Sequence, residues 1–205
     1  MLSVFRRTTG LCSVILWLGM VDLAYSVDSN TGALRQAEYG ETYYTQFSLF
    51  HYHYIHETTN YRRTTLIPIN TPVTFDRVRI TDLGHGGNRG VMVLSKPEII
   101  VKLPEGKELH IVNIKKYSGE DLERIFTRTL GKEKVDLSLF TALERTNILE
   151  GEVQIGMSKA AVIRAMGYPP KHRTPSLSSD QWTYWSSRMG SFVVRFRDDK
   201  VISVN

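Results

Sequence analysis

The densest group of side chains able to do chemistry is His51-Tyr52-His53-Tyr54-Ile55-His56. On a β-strand, residues two apart share a face, so His51 and His53 are expected to point the same way. Imidazoles at that spacing suit zinc or copper, and His56 offers a third nitrogen. Glu57 has the opposite parity from His51 and His53, so it does not complete a ligand set. The competing reading is an aromatic strand whose tyrosine and histidine rings are half-buried with wet polar edges. A periplasmic metal-binding protein using His51, His53 and His56 is one functional expectation.

Hydroxyl nucleophiles give a second. Ser158, Ser176, Ser186 and Ser187 are available, with His172 near them in sequence. A hydrolase would need one of them in reach of His172, with an acid to orient the ring. No serine stands in a nucleophile elbow. Ser158 precedes an apolar helical run, where a hydroxyl caps a helix. The glycine-rich loop Gly84-His85-Gly86-Gly87-Asn88-Arg89-Gly90 has backbone N–H groups for an anion. It lacks the lysine-serine ending of a P-loop and opens no helix, so a hairpin loop is expected.

The strongest apolar signal is Trp182, Tyr184 and Trp185 with Phe192, Val194 and Phe196. On a strand, Trp182 and Tyr184 share one face and Trp185 takes the other. The first face suits a core. An exposed indole and its neighbours suit a binding surface, because tryptophan and tyrosine are enriched at interfaces. The basic loop Lys171-His172-Arg173 and the Trp185…Arg188 run are the partner-contact candidates.

Several elements must position these groups. Residues 1–26 read as a secretory signal: Arg6-Arg7, the apolar run Leu11 to Met20, and small residues before a cut after Ser26. Cys12 precedes the apolar run rather than following it, so a lipidated N-terminus is not expected. No other cysteine follows, which excludes disulfides and thiolate chemistry. Residues 27–42 are a polar, flexible lead-in. Residues 43–116 read as a small antiparallel β module, an SH3-like barrel or curled sheet. Its strands are expected at Tyr43 to Ile55, Thr65 to Ile69, Val73 to Ile80, Val91 to Ser95, Glu98 to Leu103 and Glu108 to Asn113. Pro68 and Pro72 point to an edge or a bend.

Residues 117–151 switch to a helical period and form a bridge. Ser118-Gly119-Glu120-Asp121 reads as a capping box, and Asp136 as the start of a second helix stopped by Gly151. Residues 152–205 then give a helix, a turn-rich loop and an antiparallel sheet. Ser158 caps the helix Lys159 to Met166, and Gly167 with Pro169-Pro170 ends it. The fold class is α+β.

The formal charge is +5, spread along the chain without a block of one sign. That argues against nucleic acid and is compatible with weak contact to anionic lipid or an acidic partner.

The C-terminal residues resemble a known family. The ordered set is Ile155-Gly156-Met157-Ser158, Val162-Ile163 and Met166-Gly167-Tyr168-Pro169. After a loop come Trp182-Thr183-Tyr184 and Phe196 ahead of Asp198-Asp199-Lys200-Val201. This resembles the SmpA/OmlA (BamE-like) domain of outer-membrane assembly lipoproteins. The resemblance implies a helix layered on a small antiparallel sheet, with a non-enzymatic role and no cofactor. It also implies envelope or outer-membrane proteins as partners, in a Gram-negative bacterium, with the exported chain in the periplasm or at the periplasmic face of the outer membrane. The segment ahead of the bridge, the Tyr168 to Leu177 loop and the Tyr184 to Arg188 run go beyond the family pattern. Partner specificity is expected there, at Lys171, His172, Arg173, Trp185 and Arg188.

Overall fold

The computed structural model describes residues 34, 37, 39–62, 65–79, 96–187 and 189–205. The signal-like segment 1–26, most of the lead-in 27–42, the Gly84–Gly90 loop, the strand expected at Val91 to Ser95 and Arg188 lie outside the described residues.

The protein is a mixed α+β structure. The first sheet uses β1 (Thr42–Thr45), β3 (Ile55–Glu57), β5 (Pro72–Arg79), β6 (Glu98–Lys102), β7 (Glu108–Val112) and β8 (Leu130–Gly131). Among the described residues its order is β3-β7-β6-β5-β1-β8. β2 (Leu49–His51) and β4 (Thr65–Ile67) form a separate antiparallel pair. Alternation in β5 turns Val73 and Phe75 inward, and β7 does the same with Leu109 and Ile111. Helix α1 (Lys115–Ser118) follows β7, and α2 (Leu122–Thr129) covers the sheet. Leu122, Ile125 and Phe126 of α2 join Tyr43, Phe75, Ile99 and Ile111 in the first core. Their spacing puts these residues on one side of the helix.

The second core lies between α4 (Lys159–Met166) and a sheet of β9 (Gln181–Trp185), β10 (Ser191–Arg197) and β11 (Lys200–Val204), in the order β11-β10-β9. Val162 and Met166 of α4 pack with Trp182, Tyr184, Val194 and Phe196. The Ser158 hydroxyl accepts the Ala161 N–H, and Gly167 closes the helix at φ 73. A Cβ on Gly167 would stand 2.7 Å from the Phe47 ring, so that position needs glycine twice over. The buried Tyr184 hydroxyl donates to the Gly167 carbonyl at 3.0 Å.

The two cores are joined. Phe50 and Ile69, from the first half of the chain, are buried in the second core with Ile148 of α3 (Ala142–Glu150). The Ser48 hydroxyl donates to the Ile148 carbonyl at 2.9 Å. The Asn60 amide donates to the carbonyls of Ser48 and Met166, and its oxygen accepts the Phe50 N–H.

Several expectations are corrected. Tyr43 to Ile55 is not one strand: β1 and β2 are separate, and a turn at His53 and Tyr54, with φ of 48 and 60, precedes β3. β3 pairs with β7 in parallel, where an antiparallel module was expected. Of the edge or bend expected at Pro68 and Pro72, the structure has the bend: a turn at Ile69 and Asn70 leads into Pro72, which opens β5 between β1 and β6. The first position of a strand tolerates proline because its missing N–H is not needed there.

The α2 cap is Asp121, not Ser118. Asp121 accepts the Arg124 N–H at 2.8 Å. Ser118 instead ends α1 and donates to Asn113. Asp136 caps only a short 3-10 turn, Leu137–Leu139, and α3 starts at Thr141 with a capping box to Glu144.

Candidate functional site

Four segments distant in sequence bring aromatic rings to the seam between the halves. Tyr61 follows the turn after β3, and the buried Asn60, in the left-handed region at φ 47, sets its direction. Asparagine is one of the few residues that accept this geometry. Tyr117 sits on α1. His172 belongs to the turn after Pro169-Pro170, and Trp185 ends β9.

The Trp185 ring lies 5.9 Å from Tyr61, edge to face, 6.4 Å from Tyr117 and 6.0 Å from His172. Tyr117 and His172 are 4.8 Å apart. Cations border the rings. The Arg173 guanidinium carbon is 5.7 Å from the Trp185 centroid, and Lys116 Nζ is 5.6 Å from the Tyr117 centroid. Both distances fall within cation–π range.

The loop that carries His172 and Arg173 is clamped from two sides. Its Lys171 N–H donates to the Tyr117 carbonyl at 2.9 Å. The buried Thr174 hydroxyl accepts the Thr183 N–H of β9 at 2.9 Å. Within the loop, the Arg173 and Thr174 N–H groups both donate to the Pro170 carbonyl. The Lys171 stem crosses Gly119, where an added Cβ would stand 2.6 Å from Lys171 Cδ.

Beside the rings runs a groove of about 610 Å³, lined by Glu57, Tyr61, Lys96, Ile114, Tyr117, Trp185 and Met189. Its size lies within the range of ligand sites, roughly 300–1,000 Å³. Lys96 Nζ stands 3.7 Å from a Glu57 carboxylate oxygen. A smaller cleft of about 200 Å³ includes Arg128, Tyr168, Lys171 and Leu177. Burial lowers the Arg128 pKa, and the paired Glu120 opposes that shift. The Arg128 guanidinium also lies over the Tyr168 ring at 4.7 Å.

Of the predicted contact residues, His172, Arg173 and Trp185 are brought together, the Lys171 side chain lines the smaller cleft instead, and Arg188 lies outside the described residues. Tyr61, Tyr117, Lys116, Glu57 and Lys96 were not anticipated. The Thr58-Thr59-Asn60 turn signal beside Tyr61 is the one local hint of the first of these.

The histidine cluster is corrected. β2 ends at His51, so His51 and His53 do not share a strand face. His51 Nδ1 accepts the Tyr54 N–H at 3.2 Å, and its ring stacks on Tyr54. His56 is buried and its Nδ1 lies 3.0 Å from the Phe50 carbonyl, so that nitrogen carries a proton and donates. Burial pushes the His56 pKa down to about 4. Among the described residues no group of three His, Cys, Asp or Glu side chains could hold a metal ion.

Exposed His172 packs against Tyr117 and Trp185 and has no acid or hydroxyl partner among the described residues. Ser158 caps α4, Ser176 bonds Ser178, and Ser187 accepts the Met189 and Gly190 N–H groups. The arrangement offers ring faces, cations and a groove, which are means of binding. No family model, curated protein or solved structure matches the chain.

Proposed function

We propose that this is a non-enzymatic binding protein of the bacterial cell envelope, acting through protein–protein contacts at the seam groove. One observation carries the reading: Trp185, Tyr61, Tyr117 and Arg173 converge beside a groove of about 610 Å³. Tryptophan, tyrosine and arginine are the residue types that dominate binding energy at protein interfaces. The rings come from both halves of the chain, so the groove depends on the joined fold.

The envelope role rests on the signal-like start and on the residue resemblance of 152–205 to the SmpA/OmlA (BamE-like) domain. The layering of α4 over an antiparallel sheet is compatible with that resemblance. In this reading the C-terminal unit is the BamE-like module, and the six-stranded sheet is an added β module that completes the groove. The protein is exported, and it supports outer-membrane protein assembly or envelope integrity from the periplasmic face. No helix of the described residues is long and apolar enough to cross a membrane.

The test is crosslinking and affinity capture from native envelope, with the wild-type chain beside Arg173→Glu. Recovery of outer-membrane assembly proteins by the wild type, lost in the variant, is the expected result. Equal capture by both would remove the groove from the account. Repeated recovery of another complex would remove the assembly role.

A further inference from the structure

We propose that the seam groove takes an acidic peptide segment carrying an aromatic side chain, the aromatic ring entering the groove and the carboxylates meeting its cationic border. The inference rests on the binding role proposed above and names the chemistry of the partner.

Charge complementarity points to this occupant. Lys116 lies against the Tyr117 ring and Arg173 against the Trp185 ring. Lys96 lines the groove itself. The acids of this region are already beside cations: Glu57 is near Lys96, and Glu120 is paired with Arg128. Among the described residues the border therefore carries Lys116, Arg173 and Lys96 against Glu57 and is net positive. An incoming carboxylate gains more there than an amide, and a basic segment is repelled.

The ring walls choose the second feature. Tyr61, Tyr117 and Trp185 present three aromatic surfaces at angles to one another, including the edge-to-face pair Tyr61–Trp185. An aromatic guest can meet such walls in offset or edge-on geometry, the arrangements that ring quadrupoles favour. A flat anionic bilayer can meet the cations, but it has no ring to offer a recessed, half-buried Trp185. A peptide meets both.

The experiment is fluorescence anisotropy on the full chain with labelled short peptides. One peptide has Asp and Glu around a central Phe. A second has those acids changed to Asn and Gln, a third has Ala for Phe, and a fourth has Lys for the acids. The first peptide should bind, with at least about a tenfold loss for each of the others. Arg173→Glu and Lys116→Glu are exposed changes that leave the cores untouched. Each should weaken the acidic peptide and reduce its salt dependence. Trp185→Phe, checked by thermal unfolding, should weaken it with the fold retained.

Equal binding of the acidic and amide peptides would overturn the proposal. So would capture by phosphatidylcholine vesicles containing phosphatidylglycerol, lost in Arg173→Glu, with no peptide bound. If every peptide fails while envelope proteins still crosslink to the groove, the acidic chemistry falls and the binding role stands.

Discussion

The Lys171 N–H donates to the Tyr117 carbonyl at 2.9 Å, tying the cation-bearing loop to the helix that carries one wall of the groove. The bond has room to form because Gly119, at φ 68, lets the Lys171 stem pass. Gly119→Ala puts a Cβ into that stem and into a strained backbone region. A stability loss of about 1 kcal/mol is expected in denaturant titration. The partner affinity of the groove should fall with it. Unchanged affinity would show that the loop holds its place without α1.

Asn60 is the tightest junction between the halves. Its side chain serves Phe50, Ser48 and Met166 at once, inside a buried site. Asn60→Ala leaves those groups without partners and should cost on the order of 2–3 kcal/mol. Urea unfolding measures it. A loss confined to one half, seen as two transitions, would contradict a jointly stabilised fold.

His56 gives the chain a pH dependence. Burial pushes its pKa to about 4; the Phe50 carbonyl opposes the shift, and Arg128 and His51 add to it. In the unfolded chain the ordinary value is 6.5. Between the two values the unfolded state binds the proton and the folded state does not. Stability is therefore full above pH 6.5 and falls as pH drops toward about 4. The loss is on the order of 3 kcal/mol. His56→Gln keeps a donor for Phe50 and should flatten that slope. The same slope in the variant would assign it to other groups.

Glu144 acts in a lower window. Burial by itself raises its pKa, but hydrogen bonds from Thr141 and Ser158 outweigh burial and bring it to about 2. It accepts the Ser158 N–H at 2.7 Å, so the α3 capping box also fixes the start of α4. Its contribution is present above the ordinary value of 4.5 and is lost as pH falls toward about 2. Glu144→Gln should cost about 2 kcal/mol at neutral pH. It should also shallow the acid limb of a melting-temperature series below the His56 window.

Local chemistry was legible in the sequence and long-range assembly was not. Ser158 and Gly167 announced both ends of α4, and alternation sorted Trp182 and Tyr184 from Trp185. These signals act within a few residues. The break after His51 was hidden because Tyr54, directly after His53, takes left-handed geometry that tyrosine does not advertise. Asp121 took the cap from Ser118 because Ser118 was already bonded to Asn113. At the groove, the indole expected to be exposed is half-buried among Tyr61, Tyr117 and His172, but the basic loop and Trp185 were readable as an interface-like composition. Tyr61 and Tyr117 were not, since they reach Trp185 only through folding of segments far apart in the chain.

The most direct test places a photocrosslinking amino acid at Met189, which lines the groove and is 93% exposed. The control position is Leu139, 81% exposed and outside the groove lining. In native envelope, Met189 should give a discrete crosslinked protein band that Leu139 does not, and Arg173→Glu should erase it. Equal labelling from both positions, or a Met189 band indifferent to Arg173→Glu, would contradict the account.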